Sequence, residues 1–218
     1  MKFSSILASP RLYELSQLCS RGTKYAKMFF DDYVKPQSGH RILEIGCGTG
    51  LIYKYLRRFR PDCECAYVGF DMSETYVQFA RKRYGLGAEF HCQRVTPEGL
   101  LDFGKFDTVI SAGVVHHLND DEALGLFTTA KSALKDGGQF IALEPCYSDP
   151  QSSFVRWLLD NDRGEYVRWE PEYASLAANV FPRVTTEIRE DMWFIPFTNV
   201  VLVAGRGSSA PKASSETR

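Results

Sequence analysis

The chain has 218 residues, 44% hydrophobic and 24% charged, with 26 Lys and Arg against 27 Asp and Glu. That balance excludes a fibrous or wholly disordered protein, and the length predicts one substantial domain with a buried core rather than two. A formal net charge of −1 argues against a general polyanion binder, because nucleic-acid affinity rests on Lys and Arg neutralising phosphates.

In chain order, the first predicted elements are helices at 10–18 and 23–34. Leu12, Leu15 and Leu18, then Tyr25, Met28, Phe29 and Tyr33, recur there at spacings of three and four. The apolar patch from Phe3 to Leu7 is interrupted by Pro10 and Arg11 before a signal-peptide core forms, and no apolar run reaches the roughly 20 residues of a membrane span. A cytoplasmic setting is expected. The run Pro36-Gln37-Ser38-Gly39 closes this part, so residues 1–38 are read as a helical cover over the domain that follows.

Ile42, Leu43 and Ile45 suit a buried parallel strand, and Gly46, Gly48 and Gly50 turn the chain into a helix opening at Leu51. Arg57, Arg58 and Arg60 sit at that helix's end, where positive charge offsets the dipole, and Pro61 stops it. A strand at 66–70, a helix at 74–84 capped by Ser73, and a short strand at 89–92 come next. A strand at 106–111, a helix at 120–134, a turn at Gly137-Gly138 and a strand at 139–143 continue the alternation. Residues 145–178 break it with helical pattern, prolines and aromatics, and are read as an insertion. Strands at 184–190 and 199–204, joined through Pro196, would form an edge hairpin. The tail at 205–218 is too poor in apolar residues to order itself, and there is no internal repeat.

The strand, glycine turn and helix form the first half of a nucleotide site of the βαβ kind, in the crevice outside a strand's carboxyl end. The spacing narrows the ligand. A dinucleotide fingerprint would put a third glycine where Leu51 stands, and a phosphate-binding loop would need Lys-Ser or Lys-Thr behind it. Asp71 ends the next strand about twenty residues on, where such units place an acid for ribose hydroxyls; its alternative reading is an ordinary helix cap beside Ser73.

The sequence Glu44-Ile45-Gly46-Cys47-Gly48-Thr49-Gly50 closely resembles the first motif of the class I S-adenosylmethionine-dependent methyltransferases, and the resemblance runs from about Arg41 to Ala204. It implies an α/β fold of three layers, Rossmann-like, with a seven-stranded, mostly parallel sheet whose last strand is antiparallel and lies beside the fifth. It also implies S-adenosylmethionine as cofactor, held by Glu44, Gly46, Cys47, Gly48, Asp71, Met72, Gln93, Ser111 and Ala112. Family members commonly place an acid for the adenine amino group at the end of the third strand. This chain reads Cys92-Gln93-Arg94 there, so Gln93 is the stand-in.

The run Ser111-Ala112-Gly113-Val114-Val115-His116-His117-Leu118 resembles the corresponding strand end and turn of the ubiquinone and menaquinone biosynthesis (type 11) methyltransferases. Small residues at 111–113 leave room for the methionyl arm, and His116 is the candidate general base should the acceptor be a hydroxyl. His117, beside Leu118, is read as a packing residue. The expected function is methyl transfer to a small-molecule or lipid-like acceptor, in a domain at 39–204 whose insertion at about 145–178 forms the substrate lid.

Within the lid, Tyr147, Arg163 and Arg168 are the candidate acceptor contacts, an arginine clamping a carboxylate or phosphate. The blander reading pairs those arginines with Asp160, Asp162, Glu165 and Glu170 nearby. Six scattered cysteines lack zinc spacing, so no metal is expected and the thiols point to a reducing compartment. Nucleic acid is not expected as a partner, and oligomeric state is not readable. Two other function classes remain open: a non-catalytic cofactor-binding subunit and a NAD(P)-dependent dehydrogenase, the latter against its glycine spacing.

Overall fold

The computed structural model describes residues 23–191 and 197–205. The expected helix at 10–18, most of the N-terminal cover and the tail from 206 lie outside them. Helices are α1 (Thr23–Met28), α2 (Leu51–Phe59), α3 (Glu74–Tyr84), α4 (Asp120–Ala133), α5 (Ser153–Asp160) and α6 (Glu170–Ala178). Strands are β1 (Arg41–Ile45), β2 (Ala66–Asp71), β3 (Glu89–Cys92), β4 (Phe106–Ala112), β5 (Leu134–Tyr147), β6 (Arg168–Trp169), β7 (Val184–Arg189) and β8 (Asn199–Ala204).

The main sheet has the order β3-β2-β1-β4-β5-β8-β7, with the two-residue β6 pairing off its path with β5. Only β8 runs against the rest, antiparallel to both β5 and β7. This is the mostly parallel seven-stranded sheet the sequence implied, with the hairpin at its edge. Successive strand residues serve opposite faces, as the pleat requires. Ile42, Tyr67, Ile110, Ile141 and Leu143 join α1, α2 and α3 on one side, while Leu43, Val68, Val109, Phe140 and Ala142 join α4 and α6 on the other. Both faces are therefore covered, which gives three layers and explains why β1, β4 and β5 carry consecutive buried residues rather than alternating ones.

Several local details differ from the sequence reading. The helix predicted over 23–34 continues only to Met28 and then widens into a π-helix at Phe29–Val34, ended by Lys35 at φ +46°. That turn is pinned from outside: the Gln139 side-chain amide donates to the carbonyls of Tyr33 and Val34, each at 3.1 Å. The Tyr33 hydroxyl in turn donates to Glu187 at 2.7 Å and accepts from Arg189 at 2.8 Å. The turn expected at Gly137-Gly138 is absorbed into β5 as a bulge. Phe106 pairs with Leu134 and Thr108 with Gln139, so β5 spends extra residues there. A 3-10 helix at Glu98–Phe103 had no counterpart in the pattern.

Phe140 shows how the second core layer is held. It is fully buried, edge-on to Phe127 at 5.6 Å and stacked on Phe181 at 5.6 Å. Replacing it with alanine should leave a cavity between β5 and α4 and cost about 3–5 kcal/mol in urea unfolding. A loss below about 1 kcal/mol would show that the two layers are not coupled through this ring.

Candidate active site

The strand order reverses between β1 and β4: from β1 the chain builds outward through β2 and β3, then returns to place β4 on β1's other side. The crevice at such a reversal lies beyond the carboxyl ends of the strands. Those ends are Ile45, Asp71, Cys92, Ala112 and the last residues of β5, all on one edge because the strands are parallel and in register.

The glycine turn is held by the end of β2. The Phe70 carbonyl accepts the amides of Gly46 at 2.7 Å and Cys47 at 2.9 Å. Asp71 then accepts the Gly48 amide on Oδ2 and the Ser73 amide on Oδ1, each at 2.8 Å. One carboxylate thus ties the turn of the first βαβ unit to the start of α3, and Ser73 itself caps α3 by accepting from Tyr76. Of the two sequence readings of Asp71, the helix-start acid describes a bond that it makes, to the Ser73 amide. Gly46 sits at φ +81°, and a Cβ there would lie 2.3 Å from Val114 Cγ2. Glycine is needed on both counts. The contact also shows that the residues after β4 pack directly on the turn.

The other predicted cofactor residues line the same edge. Glu44 and Cys47 are buried beside the turn, and burial pushes the Cys47 thiol far up. Ser111 is buried at the end of β4, opposite Ile45, and its Oγ has no hydrogen-bond partner among the described residues. Ala112 is half-buried next to it, Met72 is 74% exposed after Asp71, and Gln93 is exposed after β3. Acid, open backbone turn, small strand end and exposed apolar side chain fit an adenosyl sulfonium with an amino-acid arm. No group of residues able to hold a metal ion occurs among the described residues.

The next feature escaped the sequence reading. Glu144, 1% exposed in β5, accepts the amides of Val114 (3.1 Å) and Val115 (3.0 Å) on Oε1. Its Oε2 accepts the His116 amide at 3.3 Å and faces His116 Nδ1 at 2.6 Å. The other ring nitrogen, Nε2, lies 3.3 Å from Asp162 Oδ1. Burial alone would lower the His116 pKa, but hydrogen bonds to Asp162 and Glu144 outweigh it and raise the value from 6.5 to about 9. A ring with both nitrogens committed to carboxylates has no lone pair to receive a proton, so the expectation of a His116 base is set aside. His117 is exposed rather than packed, its ring 4.1 Å from that of His116.

Arg168 needs the same correction. It is 7% exposed and bonds Asp120 at 2.7 Å, with further donations to the carbonyls of Leu118 (2.7 Å), Tyr166 (3.0 Å) and Val115 (3.2 Å). Its donors hold the insertion to the turn after β4, leaving none in place for an acceptor. Arg163 is exposed. The Tyr147 hydroxyl donates to Asp160 at 2.9 Å, and the Arg156 guanidinium lies over the Tyr147 and Trp169 rings at 4.7 and 5.2 Å. The local Asp–Arg pairs expected inside the insertion are thus replaced by longer-range partners.

Residues 42–138 match the family model described as a methyltransferase domain. Over that stretch the chain is similar to methyltransferase domains, as its glycine motif implied. Over 112 residues it is 35% identical to the ubiquinone biosynthesis O-methyltransferase of Brucella ovis, covering 50% of this chain and 42% of that one. It is 31% identical over 111 residues to the tRNA U34 carboxymethyltransferase of Pseudoalteromonas translucida, covering 50% and 33%. The chain thus spans less than half the length of these curated relatives. In fold, the chain is similar to the pyocyanin biosynthetic protein PhzM, with a TM-score of 0.72, 17% identity and coverage of 95% of this chain and 62% of that one. These matches favour the methyltransferase over the dehydrogenase reading.

Because Glu144 satisfies four donors from a buried position, Glu144→Gln should be costly, its amide placing N–H against N–H. The expected loss is on the order of 3 kcal/mol at pH 7 in chemical unfolding, as for one broken member of a buried pair. A loss within about 0.5 kcal/mol, the range of surface changes, would contradict the geometry.

Proposed function

We propose that this chain transfers the methyl group of S-adenosylmethionine to a small-molecule or lipid-like acceptor. Asp71 is the observation that carries the reading. Each of its oxygens accepts one backbone N–H and keeps a second lone pair, so the carboxylate is held in place and able to accept both hydroxyls of a ribose. Glu44, Gly46, Cys47, Gly48, Ser111 and Ala112 are assigned to the methionyl arm, and Met72 and Gln93 to the adenine.

When bound, the cofactor supplies a methyl carbon on a good leaving group. What remains for the chain is to align the acceptor and keep water out, which is where most of the barrier reduction of such a transfer arises. With His116 committed, the reading favours an acceptor whose nucleophile needs no proton removed by that residue. Residues 145–178, within a catalytic domain at 39–204, are assigned as the acceptor cover, with Tyr147 and Arg163 as its remaining polar contacts. The near-neutral charge supports a small acceptor over RNA. A cytoplasmic, reducing setting is supported by five free cysteines among the described residues; no helix described there is long and apolar enough to cross a membrane.

Calorimetric titration of the purified chain with S-adenosylmethionine should show one site, weakened by about 2 kcal/mol, roughly thirtyfold, in Asp71→Ala through loss of charged hydrogen bonds. Incubation with cofactor and a metabolite extract should then yield S-adenosylhomocysteine and a product heavier by one methylene. Equal affinity in wild type and variant would mean that the ribose lies elsewhere. Binding without turnover would favour a cofactor-binding subunit instead.

A further inference from the structure

The loop between α5 and β6, residues 161–167, meets the turn after β4 at His116. The Tyr166 amide donates to the His116 carbonyl at 2.9 Å. Asp162 faces the ring's Nε2 and is itself oriented by accepting the Gly164 amide at 2.8 Å. At Gly164 the loop comes so close that a Cβ would lie 2.0 Å from His116 Cδ2 and 2.6 Å from the His116 carbonyl. A buried ring, a glycine shaped to it and an acid on either side make a built joint rather than a chance surface contact.

We propose that His116 is a positioning residue, a latch that bridges Glu144 of β5 and Asp162 of the lid and so holds the 161–167 loop over the edge where the methyl group is transferred. The latch rests on the proposed function for its purpose, though not for its existence. Two acceptors on two ring nitrogens require a proton on each, and only the imidazolium has both. The groups facing the ring are Glu144 from β5, Asp162 from the lid and His117 on its own turn. The two acids outnumber the one neutral neighbour, so the cation is the favoured state at neutral pH.

The sign of the pH effect follows. A histidine whose folded value is raised above its unfolded value contributes fully below about 6.5, and that contribution is lost as pH rises through about 9. Asp162, whose partial desolvation is outweighed by the hydrogen bond from His116, is held below its usual range and keeps its side of the joint until well into acid. The latch should hold across neutral pH and open in alkali. A base-type histidine would show the opposite: useful only when deprotonated, above its own pKa.

The test uses the full chain. The His116 ring is titrated by NMR, and exchange protection of the Tyr166 amide, corrected for intrinsic rate, is followed from pH 6 to 10 in wild type, Asp162→Asn and His116→Gln. The expected results are a His116 midpoint near 9, falling by at least one unit in Asp162→Asn, and Tyr166 protection that drops at least tenfold above pH 9 in wild type and already at pH 7 in Asp162→Asn. Should His116→Gln fail to fold, the Asp162 variant carries the test alone, since it leaves the Glu144 bonds in place. A wild-type midpoint at or below 6.5, or Tyr166 protection unchanged in Asp162→Asn, overturns the latch. A parallel titration with S-adenosylmethionine keeps the two readings apart: no cofactor binding by wild type defeats the proposed function and leaves the latch result standing.

Discussion

The site depends on one buried charge. Glu144 lies almost wholly out of water, where an unpaired carboxylate would cost several kcal/mol, and the fold offsets that by bringing it three amides and an imidazole. Charge-assisted bonds are short and directional, so the carboxylate dictates the path of the chain after β4. It draws the amides of Val114, Val115 and His116 inward, at the start of the 3-10 turn Val115–His117. That path seats Val114 on Gly46 and turns the far side of His116 toward the insertion. From the glycine turn to the loop over it, the contacts run through this one residue.

Sheet topology explains why those contacts meet where they do. Parallel strands bring all their carboxyl ends to one edge, and the reversal of order between β1 and β4 opens a gap in the loops there. The acid of β2 closes the floor of the gap by holding the glycine turn, and the acid of β5 closes its wall by holding the turn after β4. Both acids are strand-end residues whose partners are mainly backbone amides. Their positions are fixed by register, which a side-chain change elsewhere alters little.

What was legible in the sequence follows from how far each interaction reaches. The glycine turn, the Ser73 cap and the alternation of strand and helix are local, and the structure places them where the pattern did. The place of Asp71 at the end of β2 was legible because its distance from the turn is set by one βαβ unit. Glu144 was not, since its partners stand 28 to 30 residues away and nothing in the local run distinguishes it from any acid ending a strand. Arg168 misled for a related reason: acids nearby suggested helical pairing, but the residue is extended in β6, and its partner is Asp120, 48 residues back. Asp162 was read as a partner for arginine when it faces histidine. The π-helix at 29–34 was hidden too, because Gln139 imposes it from β5 and the apolar spacing does not distinguish π from α.

The insertion is fastened in a way that bears on its motion. Its inward aromatic, Tyr173, is buried and donates to the Pro145 carbonyl at 3.1 Å, anchoring α6, whereas Phe154 and Trp157 on α5 are 55% and 59% exposed. Between these helices the chain from 161 to 167 has Gly164 as its one buried residue, and it is held by polar bonds to His116 together with Arg168 at its end. An apolar core loses stability when any part of it moves, while a few directional bonds break and re-form one at a time. A segment meant to admit an acceptor and then exclude water needs the second kind of attachment. On the proposed role of residues 145–178 as acceptor cover, α6 would keep the cover on the domain and the loop would be the part that yields.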